Sequence, residues 1–438
     1  MSERPLNTAA PDESLAAPKG ALFSIFLIVL VDFLGFGLII PLLPFYVPDY
    51  ENNPMKVTLI FSIFSICQFV GAPILGALSD RYGRRPILIF SQLGSAAGYV
   101  LLGVASMPGW DPTTRLVLVY LSRVIDGFTG GNVSTAQAYI SDVTTAENRA
   151  KGMGLLGAAF GIGFCLGPFL GGVLGAYNVS WPAYAAAALA ALAAVVTFVK
   201  LPESRVHKPT NSGLWLHPST FLPVFRRPVV SQLLLISFVS MAAFVMMECT
   251  VGLFLAKVWH IDDPKVAGRY TGWFFGYVGL VIVIVQGGLI GRLTKAFGEW
   301  PLALAGACLV TVGMGFYVGF AWHHALVVLA LAGAINAIGR SLQGPTLSSL
   351  LSKFSDPKEQ GVVFGLYHGL SSLARVIGPI LAGLTYPYWN NTGQFWTAGA
   401  IMLGVAVWTV VVRTQAGPAT GRAEVSDAVG RAAVTEIE

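Results

Sequence analysis

The chain has 438 residues, of which 55% are hydrophobic and only 11% charged, with a formal net charge of +5. Soluble domains run at roughly 45–50% apolar and about 25% charged; here the mean hydropathy is +0.68 and the apolar residues fall in long blocks. No water-soluble fold covers that much apolar surface with so few charges. The composition implies an all-α integral membrane protein and excludes cytosolic enzymes, secreted disulfide scaffolds and nucleic-acid binders.

Residues 1–20 are polar and rich in Ala and Pro, with no basic segment leading into a cleavable apolar stretch, and read as a cytoplasmic tail. Apolar blocks follow at 21–46, 57–79, 86–106, 115–140, 150–176, 181–199, 229–256, 267–291, 301–321, 324–351, 361–386 and 394–412. Each is long enough to cross a bilayer, which predicts twelve helices. Pro182 and the short gap at His323–His324 are the weak points of that count. The polar, basic stretch 200–228 divides an N-terminal bundle at 21–199 from a C-terminal bundle at 229–412, and 413–438 forms a second cytoplasmic tail.

Lys and Arg concentrate on alternate connections, such as Arg81, Arg84 and Arg85, then Arg149 and Lys151, then Lys200, Arg205 and Lys208. The opposite connections hold only Lys56, Arg115, Lys257, Lys265 and Arg269. By the positive-inside rule both termini are expected in the cytoplasm, below a cell or inner membrane. This bias also accounts for the pI of about 9.0 without a polyanionic partner. Cys67, Cys165, Cys249 and Cys308 lie singly in apolar blocks and read as small core residues, and the six histidines show no H-E-x-x-H. No metal and no cofactor is expected.

Two stretches recur along the chain. Gly167-Pro168-Phe169-Leu170-Gly171-Gly172 returns as Gly378-Pro379-Ile380-Leu381-Ala382-Gly383 at an offset of 211, and Gly76 to Pro86 is echoed by Gly291 to Pro301 at an offset of 215. Offsets that agree this closely and in the same order imply an internal duplication. That is the mark of a repeat-built transporter with its site between two six-helix halves.

Inside the predicted spans stand three acids, Asp32, Asp126 and Glu248, and three bases, Arg123, Arg340 and Arg375. Each costs about 2.5–3.5 kcal/mol at a helix centre, so each needs a partner or a purpose. Asp32 and Glu248 lie 216 residues apart, at matching places in the two halves, and are the two candidate proton sites. A carboxylate whose arginine partner moves away changes its proton affinity, which is the physics of proton coupling. Arg123 is either such a partner for Asp32 or a structural partner for Asp126, three residues on. Arg340 and Arg375 either pair with Glu248 or hold an anionic substrate, while Glu248 alternatively takes a cationic group. Asn132, Gln137, Asn336, Gln343, Tyr367 and His368 are candidate cavity residues, beside the flexible Met246 and Met247.

The connection Gly76-Ala77-Leu78-Ser79-Asp80-Arg81-Tyr82-Gly83-Arg84-Arg85-Pro86 has glycines for close helix contact and a sharp turn. Asp80 suits a helix amino terminus, and Arg84 suits an acid such as Asp80 or Asp142. Here the sequence resembles the major facilitator superfamily, whose signature loop is G-x-x-x-D-R-x-G-R-R. Arg123-x-x-x-Gly127-x-x-x-Gly131 resembles that family's helix-4 arginine motif, with Asp142 ending the same predicted helix. Gly163-x-x-x-Gly167-Pro168-x-x-Gly171-Gly172 resembles its antiporter motif, which the family uses as a hinge or seal. The run Asp32-Phe33-Leu34-Gly35-Phe36-Gly37 through Pro44 is similar to twelve-helix drug/proton antiporters, tetracycline exporters above all.

The resemblance implies two bundles related by an internal repeat and alternating access. It also implies proton-coupled export of a small amphipathic compound by a monomer in the lipid bilayer. Two departures stand against tetracycline itself. Spans 86–106 and 301–321 lack the acids those exporters carry, and Lys295 replaces Asp80 in the second loop copy. The alternatives are proton-linked transport of a natural metabolite, a sugar or an organic anion, and a membrane sensor that transports nothing. No catalytic constellation and no Walker motif is present, so the chain reads as neither an enzyme nor an ATP-driven pump.

Overall fold

Every regular element among the described residues is helical. The computed structural model describes residues 21–50, 52–130, 132–144, 146–204, 224–356 and 359–416. The expected tail 1–20, the expected tail 413–438 beyond residue 416, and residues 205–223 of the expected linker 200–228 lie outside the described residues. Helix α1 (Ala21–Ile39) runs into a 3₁₀ segment, Ile40–Tyr46, because Pro41 and Pro44 remove the N–H groups an α-helix needs. The first half continues with α2 (Pro54–Tyr82), α3 (Arg84–Ala105), α4 (Pro112–Thr129), α5 (Asn132–Val143), α6 (Ala146–Tyr177) and α7 (Trp181–Lys200). The second half holds α8 (Pro228–Val258) and α9 (Pro264–Ile284), a π segment at Val285–Leu289, then α10 (Ile290–Phe297), α11 (Glu299–His323), α12 (Leu326–Phe354), α13 (Gln360–Thr385) and α14 (Gly393–Ala416).

Local chemistry sets the helix ends. Prolines open α2, α4, α7, α8 and α9, where a missing N–H costs nothing. Asp111 caps α4 by accepting from the Thr113 and Thr114 amides, and these bonds, chiefly those of Thr114, hold its carboxyl below the ordinary range. Both weak points in the span count resolve as boundaries. Pro182 lies in the first turn of α7, and His324 ends α11 in the left-handed region at φ 53°.

Among the described residues, ten segments are long and apolar enough to cross a membrane. The two further expected spans are the most polar. One is α13, with His368 and Arg375; the other is the stretch 115–140, which breaks into α4 and α5 instead of forming one helix. The break follows Gly130, whose carbonyl accepts from the Gln68 side chain at 3.0 Å, while the Thr129 carbonyl accepts from Ser91. Neighbouring helices thus satisfy the backbone groups that the break frees inside the membrane. Large apolar side chains such as Val117, Leu192, Val195, Leu326, Leu403 and Val407 are exposed, as a lipid-facing surface requires. Cys308 is exposed too, so it is not a core residue, whereas Cys249 is buried and all four cysteines are free.

The packing repeats as the sequence does. In the first half α1 packs on α6 and α7, and α3 on α4 and α7; in the second α8 packs on α13 and α14, and α11 on α12 and α14. The halves meet through α6 against α9 and through α2 against α13, the same contact taken twice in swapped order. Near Tyr50 and Ile261 the halves are closed. Tyr50 donates to the Ile261 carbonyl at 3.5 Å, and Ser62 on α2 donates to the Val376 carbonyl at 2.8 Å. On α6 and α9, Gly172 meets Gly272 and Cys165 meets Gly279, but Gly154, Gly157, Gly161, Gly287, Gly288 and Gly291 have open space beyond them. The two helices therefore diverge toward the end that carries Arg84, and the space between the halves opens there.

Candidate functional site

The first-half charges form one cluster. Arg123 and Asp126, each 2% exposed, pair at 3.0 Å within α4. The guanidinium lies over the Tyr99 ring at 5.5 Å, and the Tyr99 and Ser95 hydroxyls donate to Asp126. Gly98 makes this approach possible, because a Cβ there would lie 2.9 Å from that of Asp126. Asp32, half-buried on α1, feels the charge of Asp126, and Tyr99 feels all three charged groups. Arg123 has thus taken the acid of its own helix and not Asp32. Gln137 is half-buried on α5, and the side chain of Asn132 lies outside the described residues.

The second-half charges are arranged differently. Glu248 is 6% exposed, and its Oε1 has no hydrogen-bond partner among the described residues. It lies in the field of Arg375 and, more weakly, of Arg340, but no ion pair within 4 Å joins them. Arg340 contacts the Met241 sulfur at 2.9 Å and the Phe244 ring at 5.0 Å. Tyr367 and His368 stack edge to face at 5.3 Å on α13, half-buried and exposed respectively, with Tyr367 also in the field of Arg340. Gln343 and Asn336 are buried in the bundle. Gln343 donates to Ser240 on α8 at 3.2 Å, and Asn336 lines a narrow apolar slot. Packing therefore uses Gln343, and it does not face an open cavity.

At the open end, Arg84 is 8% exposed and ties three elements together. It reaches Asp80 at 2.7 Å, Asp142 at 3.1 Å and the Ser79 hydroxyl at 2.6 Å. The amino terminus of α3 is occupied by Glu203, which accepts from the backbone N–H of Arg84 at 2.8 Å and of Arg85 at 3.1 Å. Asp80 belongs to the last turn of α2 and cannot serve there. Gly83 supplies the turn at φ 102°, with Glu203 pressed against the place where a side chain would be. Arg85 lies over the Phe198 ring and Arg81, exposed, over Tyr82. Gly76 has open space around it, so it makes no close helix contact in this conformation.

The α6 glycines seat α1. A Cβ at Gly163 would lie 2.6 Å from that of Phe33, one at Gly167 would lie 2.7 Å from the Gly37 Cα, and one at Gly171 would strike the Leu38 carbonyl. Gly172 and the Pro168 carbonyl face Gly272 of α9 instead. One helix thus touches both the first helix of its own half and the opposite half.

Sequence reasoning missed Glu203, Tyr99 and the swaps between repeats. The signals were present. Arg123-Val124-Ile125-Asp126-Gly127 returns as Arg340-Ser341-Leu342-Gln343-Gly344, an offset of 217, with Gln in place of the acid. Glu299 and Lys353 pair at 2.5 Å, and they stand 215 and 211 residues after Arg84 and Asp142, with both charges reversed.

Two duplicated helical bundles, meeting around buried charges and open at one end, define a secondary transporter. The comparisons with known proteins agree: residues 25–321 and 289–435 match the Major Facilitator Superfamily, and the chain belongs to that family. It is 30% identical over 411 residues to the class C tetracycline resistance protein of Escherichia coli, covering 90% of this chain and 95% of that protein. It is 28% identical to major facilitator superfamily domain-containing protein 10 of Bos taurus, over 89% of this chain and 90% of that one. The crystal structure of the human organic anion transporter MFSD10 superposes with a TM-score of 0.66 at 26% identity, covering 89% and 99% of the two chains. A peptide transporter at 18% identity superposes with a TM-score of 0.71, which speaks to the fold alone.

Proposed function

We propose that the protein exports a small amphipathic compound in exchange for protons, by alternating access, with the Arg84 end and both termini in the cytoplasm. The observation that carries this reading is the first-half cluster. Among its described residues two acids, Asp32 and Asp126, stand with one base, Arg123, which is paired to Asp126, so the cluster is neutral only when it holds one proton. Asp32 is the more accessible acid and is the site that exchanges it. The resemblance of Gly163 to Gly172 to the antiporter motif, and the tetracycline resistance relatives, favour exchange and export over uptake.

The test uses proteoliposomes with an imposed pH gradient. Asp32→Asn keeps the shape of the side chain but cannot titrate. It is expected to lose proton-driven accumulation while keeping substrate binding and substrate-for-substrate exchange. Undiminished accumulation in a well-expressed variant would remove Asp32 from the mechanism. The orientation is tested separately with single cysteines at the exposed Lys295 and Asp262, in a background lacking the native four. Labelling is expected from the cytoplasmic and the outer side respectively, and labelling of both from one side overturns the topology.

A further inference from the structure

We propose that Arg340 and Arg375 hold an anionic group of the transported compound while the adjoining aromatic slot takes its apolar body, so that the substrate class is an amphipathic organic monoanion. This rests on the transporter reading and names the chemistry its second-half site selects.

Three observations carry it. The first is charge. The second-half cluster has two bases and one acid, so a single negative charge neutralises it, as a proton neutralises the first-half cluster. The second is vacancy of bonding. Among the described residues neither Arg340 nor Arg375 has a carboxylate within 4 Å, and Oε1 of buried Glu248 has no hydrogen-bond partner. The repeat explains why: where Arg123 has Asp126, Arg340 has Gln343, which is engaged with Ser240. A guanidinium kept free of acids deep in a membrane protein is suited to a carboxylate or similar group, which it binds by charge and by paired N–H donors.

The third observation is the slot itself. Phe164, Phe244, Phe275 and Tyr317 wall it, almost without polar atoms, and Phe164 comes from α6, so it lies between the halves. The Phe244 ring also lies against Arg340, and Ala337, one turn before Arg340, lines the same slot. The anion site and the apolar site are therefore contiguous. The slot is closed down to about 10 Å³, room for one water at most, and because it lies between the halves it takes an apolar body only as they move apart.

The test is calorimetric binding to the purified protein in nanodiscs, with three probes that share one ring: indole-3-propionate, indole-3-propanamide and tryptamine. Indole-3-propionate is expected to bind at least about tenfold more tightly than the amide. Arg340→Gln and Arg375→Gln should each erase most of that preference by weakening the acid's binding more than the amide's, whereas Arg340→Lys, which keeps the charge, should retain it. Gln343→Asp, which gives Arg340 the acid that its repeat counterpart has, should erase it as well. Equal affinity for acid and amide, tightest binding of tryptamine with loss in Glu248→Gln, or no binding of any probe would overturn the proposal. A protein that prefers the acid but shows no pH-driven transport sinks the antiport reading alone; one that is proton-driven without the preference sinks only this assignment.

Discussion

The two halves share one helical plan but handle their buried charges in opposite ways. In the first half Arg123 is matched to Asp126 within its own helix, and two hydroxyls and an aromatic face complete the arrangement. In the second half Arg340 rests on a thioether and a phenyl ring, and the one acid nearby is out of pairing range. Duplication copied the scaffold, and a few substitutions separated the chemistry. Where Arg123 has Asp126, Arg340 has Gln343, and among the described residues it lacks the ion pair of its repeat counterpart. The same divergence appears at the open end, where Arg84 with Asp142 becomes Glu299 with Lys353. An ion pair joins the matching helices in both halves with its sign reversed, so geometry was kept where charge was not.

If the first-half pair is structural and the second-half arginine is not, the largest effect falls on stability. Arg123→Gln leaves Asp126 as a buried charge without its counter-ion, and such changes cost about 3–5 kcal/mol. A large drop in the apparent melting temperature in nanodiscs is expected, with partial recovery in Arg123→Gln/Asp126→Asn. Arg340→Gln strands no paired acid and should melt close to the parent protein. Equal losses for the two arginines would break the comparison.

A smaller effect is expected at the first-half gate. Arg84→Ala removes a clamp of three contacts far from the central charges, so it shifts the balance between conformations and leaves the binding site intact. Transport in proteoliposomes should fall by about tenfold with substrate affinity unchanged. A near-normal rate would show that the clamp is dispensable.

The least effect belongs to the reversed pair, because Lys353 is 59% exposed and such pairs are worth at most about 1 kcal/mol. Glu299→Lys should lower the transport rate modestly, and Glu299→Lys/Lys353→Glu should restore it. Failure of the double reversal would mean that the sign at this position matters, because it must complement the first-half gate when that end closes.

The membrane class, the twofold plan and the families of polar residues were legible in the sequence. They follow from composition, from block length and from repeats that survive as spacing, and none of these needs three-dimensional context. The split of the fourth span was harder to foresee. Gly130 permits it, but the break is tolerable only because Gln68 and Ser91 arrive from other helices to bond the freed carbonyls. Likewise Glu203 follows a helix that ends at Lys200 and looks like the first acid of a linker, yet it caps α3 from more than a hundred residues away.

Partner choice was the main matter left to the tertiary structure. Asp32, Asp126, Arg123, Glu248, Arg340 and Arg375 announced themselves as six charges in apolar blocks, with several pairings equally open. Which carboxylate meets which guanidinium depends on how far helices approach. Gly98, Gly163 and Gly167 set those approaches by what they lack. A sequence records that a charge must be accounted for in the membrane; only the packed helices decide by what.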